Sequence, residues 1–268
     1  MSRYTASGLS FLLDGEEVPM APGDTVLQAA HRVGRYIPHL CWHPGLPAHG
    51  SCRLCMVNFN GRPVSACTAL AAPGAVVECQ TPALQAERRT LLQMLFVEGN
   101  HFCPSCERSG NCLLQATAYQ HEMAGPHFEE FYPDRPVDAS HPDMLLDHNR
   151  CILCGLCVRA SELLDGKSVF AIAGHGTRCH LVVDSPSGQL GDSALSVHDQ
   201  AAGICPVGAL MPKRVGFRDP IGQRRYDLHR VDEPHSQEAA PPADEETPWP
   251  APRTTRRRRH ASWARPPP

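Results

Sequence analysis

Aromatic residues are scarce in this 268-residue chain, at 6%, so no ring-rich face for stacking nucleic-acid bases is expected. Long apolar runs are missing as well. The best, LLQMLFV, falls far short of the ~18 residues of a membrane span, and no spanning helix is expected. Neither charge sign dominates: 25 Lys and Arg face 28 Asp and Glu, a net charge of −3. That balance gives no global attraction to nucleic acid or an anionic membrane. The opening MSRYTASGLSFLLDG reaches Asp14 after one short apolar run, unlike the basic-then-apolar pattern of a secretory leader. Nothing resembles GxGxxG, so a dinucleotide site on this chain is not expected. No acid–base pair or nucleophile stands out for catalysis.

What the chain has in quantity is cysteine, 13 in all, with 26 prolines and 42% hydrophobic residues. The length allows two or three small domains. The odd cysteine total argues against a complete disulfide set, and without a leader the expected location is cytoplasmic. Thiols there stay reduced, so clustered cysteines read as metal ligands.

Residues 1–82 read as a small sheet with one helix. LSFLLDGEEVPM places apolar runs around Asp14-Gly15, a hairpin signal. Thr25 and Gln28 form a capping box for a helix that stops at Gly34, and Asn60-Gly61 marks a second hairpin. Strand, strand, helix, cysteines, strands is a β-grasp order. Residues 83–125 change to helical periodicity, with a helix ending at Gly99-Asn100, a cysteine loop and a second helix. Residues 126–142 read as a proline-rich linker. Residues 143–233 read as short strands and helices around a small core. Residues 234–268 are a polar, proline-rich tail ending in Arg256–Arg259, too poor in apolar surface to fold alone. The fold class is α+β.

The cysteines fall into three sets. Cys41, Cys52, Cys55 and Cys67 follow the β-grasp elements. Cys52 and Cys55 could grip one metal atom from a tight loop turned by Gly50. A structural zinc is possible here, but the platform favours a 2Fe-2S cluster. Cys79 lies beyond the set as a buried thiol. The second set, in GNHFCPSCERSGNC, is His101, Cys103, Cys106 and Cys112, with Gly110 freeing the loop. It fits either zinc or a 4Fe-4S cluster with one imidazole ligand, which would raise the cluster's potential.

The third set begins with RCILCGLCVRASE. Cys151, Cys154 and Cys157 have the spacing of a bacterial ferredoxin loop, with Ser161 at the fourth position. In two-cluster ferredoxins the fourth cysteine of each run serves the other cluster. Counting back from Cys205-Pro206 by the same spacing meets Ala201, His198 and Leu195, none of them cysteine. One cluster is therefore deleted as a unit, and Cys205 completes the other. Cys151, Cys154, Cys157 and Cys205 make one 4Fe-4S set, with Cys179 left over as structural. His31, His39, His43, His49, His121 and His148 read as surface or packing residues, and Arg150 and Arg159 as solvated.

This order of sets resembles the amino-terminal region of the large iron–sulfur subunit of respiratory complex I, shared with iron-only hydrogenases and NAD-linked formate dehydrogenases. EGNHFCPSCERSGNC, DHNRCILCGLCVRAS and CPVGALMPKRVGFRDPIGQRRYD resemble most the small diaphorase (gamma) subunit family of NAD-reducing nickel–iron hydrogenases. One departure is the single residue between His101 and Cys103, where the complex I pattern has three. The resemblance implies one 2Fe-2S and two 4Fe-4S clusters here, and an electron-transfer role without catalysis of its own. It implies FMN and NAD on a partner diaphorase large subunit, and nickel–iron hydrogenase small and large subunits as further partners. An equivalent subunit of a formate dehydrogenase is the alternative. A zinc protein touching nucleic acid through Arg256–Arg259 is a remote one.

Overall fold

The computed structural model describes residues 8–125 and 127–233; the tail at 234–268, with Arg256–Arg259, lies outside them. Strands β1 (Ser10–Leu13) and β2 (Glu16–Pro19) pair antiparallel. Both residues of their turn, Asp14 and Gly15, have positive φ, as a two-residue hairpin matched to strand twist requires. Alternation turns Phe11, Leu13 and Val18 into the core. Helix α1 (Val26–Arg32) carries the expected Thr25–Gln28 capping box and buries Val26, Leu27, Ala29 and Ala30. Strands β3 (Met56–Phe59) and β4 (Arg62–Ser65) turn at Asn60-Gly61. Strand β5 (Val76–Glu78) inserts parallel to β1 and antiparallel to β3. The resulting sheet order, β2-β1-β5-β3-β4, is a β-grasp.

Helix α2 (Pro82–Glu98) starts where the Thr81 hydroxyl accepts from the Leu84 amide and ends at Gly99. Helix α3 (Leu113–Gln120) follows the second cysteine loop. In the third unit, β6 (Val137–Asp138), β7 (Met144–Asp147) and β10 (Leu210–Pro212) form a sheet in the order β10-β7-β6. Helix α4 (Leu156–Leu163), the hairpin of β8 (Phe170–Ala173) and β9 (His180–Val183), and α5 (Gln200–Gly203) complete the unit. β6 lies inside the stretch expected to be linker. It is a two-residue strand made by pairing with β7, which no local period encodes.

After β10 the chain runs to the second unit. The Tyr226 amide donates to the Gly110 carbonyl at 2.9 Å, and the Arg225 amide to Asn111 Oδ1 at 2.8 Å. Helix α6 (Arg225–Leu228) thus belongs to a strap, residues 213–233, laid over the second cysteine loop.

Candidate metal centres

The first set lies on the irregular stretch between α1 and β3 and just past β4. Its four thiols form two pairs within hydrogen-bonding reach, Cys41 with Cys52 and Cys55 with Cys67. Cys52 also lies within electrostatic range of Cys55, so the loop keeps all four thiols together. Cys41 and Cys67 are held down by the thiol donating to them, while Cys52 and Cys55 are pushed up. The Leu40 amide donates to Cys52 Sγ and the Cys52 amide to Cys41 Sγ, both at 3.4 Å. Two thiol pairs with inward amides suit a two-iron group, one pair to each iron. Gly50, at φ +71°, makes the turn. Around this set His31 and His39 pack edge-on to Trp42, with ring centroids 5.0 and 5.2 Å away.

In the second set, Cys103, Cys106 and Cys112 stand within electrostatic range of one another, and burial pushes the Cys112 thiol up to about 12. The His101 ring packs on Phe96 at 5.6 Å between centroids. Its Nε2 is buried with no hydrogen-bond partner among the described residues, and burial lowers its pKa to about 4. The ring is neutral with an uncommitted nitrogen, the state in which imidazole ligates metal. Gly110, at φ +78°, packs under the Arg224 guanidinium, where a Cβ would come within 2.2 Å of Nε.

The third set brings Cys205 beside Cys151, Cys154 and Cys157, within electrostatic range of each. The four thiols line an apolar cavity with Leu146, Ile152, Leu181 and Val207. Burial pushes Cys151 up to about 11 and Cys154 and Cys157 higher. On binding metal such thiols would release their protons to solvent, and the metal's charge would stabilise the thiolates in place of hydration. Gly155, at φ +66°, caps α4 inside the loop. Ser161 is buried, and its Oγ accepts from the Val169 amide at 2.8 Å. Leu195 and Ala201, where the vanished triplet would stand, are core residues, while His198 is exposed. Among the described residues, no group of three or more His, Cys, Asp or Glu side chains is set to hold a single metal ion.

The sites adjoin one another. A core of Leu40, Leu54, Leu92, Leu114, Val207 and Ala209 includes Cys112 and touches Cys52, Cys151 and Cys205, so every set contributes a thiol to it. Two arginines read as solvated are instead staples. Arg159 Nη2 donates to the Cys41 carbonyl at 2.7 Å and Nη1 to the Pro47 carbonyl at 2.5 Å, while Nε holds the Gly155 carbonyl at 3.2 Å. It ties the first loop to the third. Arg150 pairs with Glu107 at 2.7 Å and Asp147 at 2.9 Å, tying the second loop to the third. The ties between loops leave no sequence signal, because Glu107, Cys41 and Pro47 are distant in the chain from the arginines that hold them. Cys79 is buried as expected, and Cys179 Sγ donates to the Gly174 carbonyl at 3.5 Å.

A β-grasp sheet and two smaller units, each presenting convergent thiols to a common apolar core, define a protein of the multicentre iron–sulfur class. Residues 6–82 match the 2Fe-2S iron-sulfur cluster binding domain, residues 88–127 the NADH-ubiquinone oxidoreductase-G iron-sulfur binding region, and residues 144–211 the 4Fe-4S single cluster domain. The gamma subunit of the NAD-reducing hydrogenase HoxS of Cupriavidus necator is 37% identical over 225 residues, 83% of this chain and 95% of that protein. The chain belongs to the family of NAD-reducing hydrogenase gamma subunits. A crystal structure of NAD+-reducing NiFe-hydrogenase in the H2-reduced state holds a similar chain, 55% identical, with a TM-score of 0.83 over 86% of this chain and 99% of that one. The G subunit of the NADH-quinone oxidoreductase of Rickettsia prowazekii is 30% identical over 222 residues, 82% of this chain. This chain spans 32% of that longer relative.

Proposed function

We propose that this chain is the electron-conducting subunit of a cytoplasmic NAD-reducing hydrogenase, moving single electrons between a flavin subunit and a nickel–iron subunit. Cys41, Cys52, Cys55 and Cys67 would hold a 2Fe-2S cluster. His101, Cys103, Cys106 and Cys112 would hold a 4Fe-4S cluster, and Cys151, Cys154, Cys157 and Cys205 another. Bound clusters supply one-electron chemistry, and FMN on the partner converts hydride from NAD into single electrons. No residue of this chain is assigned a catalytic step. Its side chains ligate, exclude water and fix the spacing of the sites. Among the described residues, no helix is long and apolar enough to cross a membrane.

The observation that carries this reading is the shared apolar core touching a thiol of every set. It gives the three sites one dry, rigid medium, in which the protein controls potential and solvent access. Zinc sites with separate structural tasks would not need a common core. The test is anaerobic purification with its neighbours. Brown protein with roughly ten irons and matching sulfide, co-purifying with nickel and FMN, supports the reading; colourless zinc protein refutes it. The similarity to the NADH-quinone oxidoreductase chain of Rickettsia prowazekii over 82% of this chain favours a second reading, an equivalent subunit of another NAD-linked oxidoreductase. Molybdenum in place of nickel would select its formate dehydrogenase form.

A further inference from the structure

Arg88 lies on the stripe of α2 that also buries Leu84 and Leu92, and it is only 1% exposed. Its Nε donates to the Leu54 carbonyl at 2.9 Å. Its Nη1 reaches the Cys79 carbonyl at 2.7 Å, and its Nη2 reaches the Met56 carbonyl at 2.7 Å and Cys79 Sγ at 3.3 Å. All three guanidinium nitrogens donate, but none of these partners is a carboxylate. A guanidinium stays protonated in proteins, and carbonyls bring no net negative charge. Among the described residues no carboxylate forms an ion pair with it. The Asp14 carboxylate, which also acts on Cys79, faces the backbone: its Oδ1 accepts from the Cys79 and Gln80 amides at 2.7 and 3.1 Å. A buried charge without a counter-charge is costly and is normally paired.

The three peptide carbonyls show where the pairing lies. Leu54 and Met56 are the residues on either side of Cys55, so the guanidinium grips the backbone just behind that thiol. Cys55 and Cys67 are each 1% exposed, in the same dry region. We infer that Arg88 is the fixed counter-cation of the cluster held by the first set, and that it raises the reduction potential of that cluster above those of variants lacking the charge. The inference rests on the reading of Cys41, Cys52, Cys55 and Cys67 as 2Fe-2S ligands. Four thiolates leave such a cluster anionic, and reduction by one electron makes it one unit more negative. A cation held in place favours the reduced form more than the oxidised one. For an illustrative separation of ~10 Å and an effective dielectric of ~20, a unit charge changes such an equilibrium by roughly tenfold, and each tenfold is ~59 mV for one electron.

The test is a redox titration of the full chain, purified anaerobically with its clusters, following the 2Fe-2S signal by electron paramagnetic resonance. Arg88→Met removes the charge. Cys79→Asp keeps Arg88 but neutralises it with a carboxylate at the Sγ position. Arg88→Lys and Cys79→Ser keep the charge uncompensated. The expected result is a roughly tenfold loss in the reduction equilibrium for Arg88→Met and Cys79→Asp, with the charge-retaining variants near wild type and the other clusters unmoved. Unchanged midpoints in Arg88→Met and Cys79→Asp, or an equal shift in Cys79→Ser, would overturn it. If Arg88→Met fails to load the first cluster while Arg88→Lys loads it, the need for charge is supported; failure of both makes Arg88 a structural clamp and overturns the inference. A wild-type chain without any 2Fe-2S signal would instead sink the ligand reading.

Discussion

Replacing Cys205 with alanine removes one thiol from the third set and should leave everything around it in place. The residue is partly buried in the cores shared with Leu146 and Ala209, so losing its sulfur costs about 1 kcal/mol of apolar burial. Its backbone is fixed independently. The Pro206 carbonyl accepts from the Leu113 amide at 2.9 Å, and β10 pairs with β7 from Leu210 onwards. A domain stable by several kcal/mol survives that loss. The thiol pairs of the first set and the loop of the second contain no contribution from Cys205. The expected outcome is therefore confined: iron falls from roughly ten to roughly six atoms per chain, with one 4Fe-4S signal lost and the 2Fe-2S and remaining 4Fe-4S signals kept. Iron and sulfide analysis with low-temperature electron paramagnetic resonance reads this directly. Retention of all three signals at full iron would show that Cys205 is not a ligand. Loss of the first cluster together with the third would show that the sites are not held separately.

Arg159→Met removes the donors to the Cys41, Pro47 and Gly155 carbonyls and should lower stability by about 2–4 kcal/mol, read as a fall in the urea midpoint. A change below about 0.5 kcal/mol would mean that water replaces the guanidinium. Gly110→Ala adds about 1–2 kcal/mol of left-handed strain and drives a Cβ into Arg224. It should loosen the strap, and trypsin should cut after Arg224 and Arg225 markedly faster than in the wild type; equal rates would refute the packing role. Burial lowers His39 and His121 to about 4, so the unfolded chain takes up protons between about pH 6.5 and 4 that the folded chain refuses. Stability should hold above about pH 6.5 and fall below it, with each histidine adding at most about 1.4 kcal/mol per pH unit. A urea midpoint that stays flat from pH 7 to 5 would contradict that sign.

Local signals settled much of this protein. The Asp14-Gly15 and Asn60-Gly61 turns, the Thr25–Gln28 box and the stop at Gly99 act within a few residues, and each appears where the sequence places it. The nearness of Cys205 to Cys151, Cys154 and Cys157, which line one cavity, was also legible, because the counting argument that joins them needs only residue spacing. Tertiary structure alone decided the rest. It paired Cys41 with Cys52 and Cys55 with Cys67, recruited Val137–Asp138 as a strand, and sent residues 213–233 over the second loop. It also turned Arg88, Arg150 and Arg159 inward. Those outcomes depend on partners such as Leu54 for Arg88, Glu107 for Arg150 and Cys41 for Arg159, tens of residues away, which no local pattern around an arginine encodes.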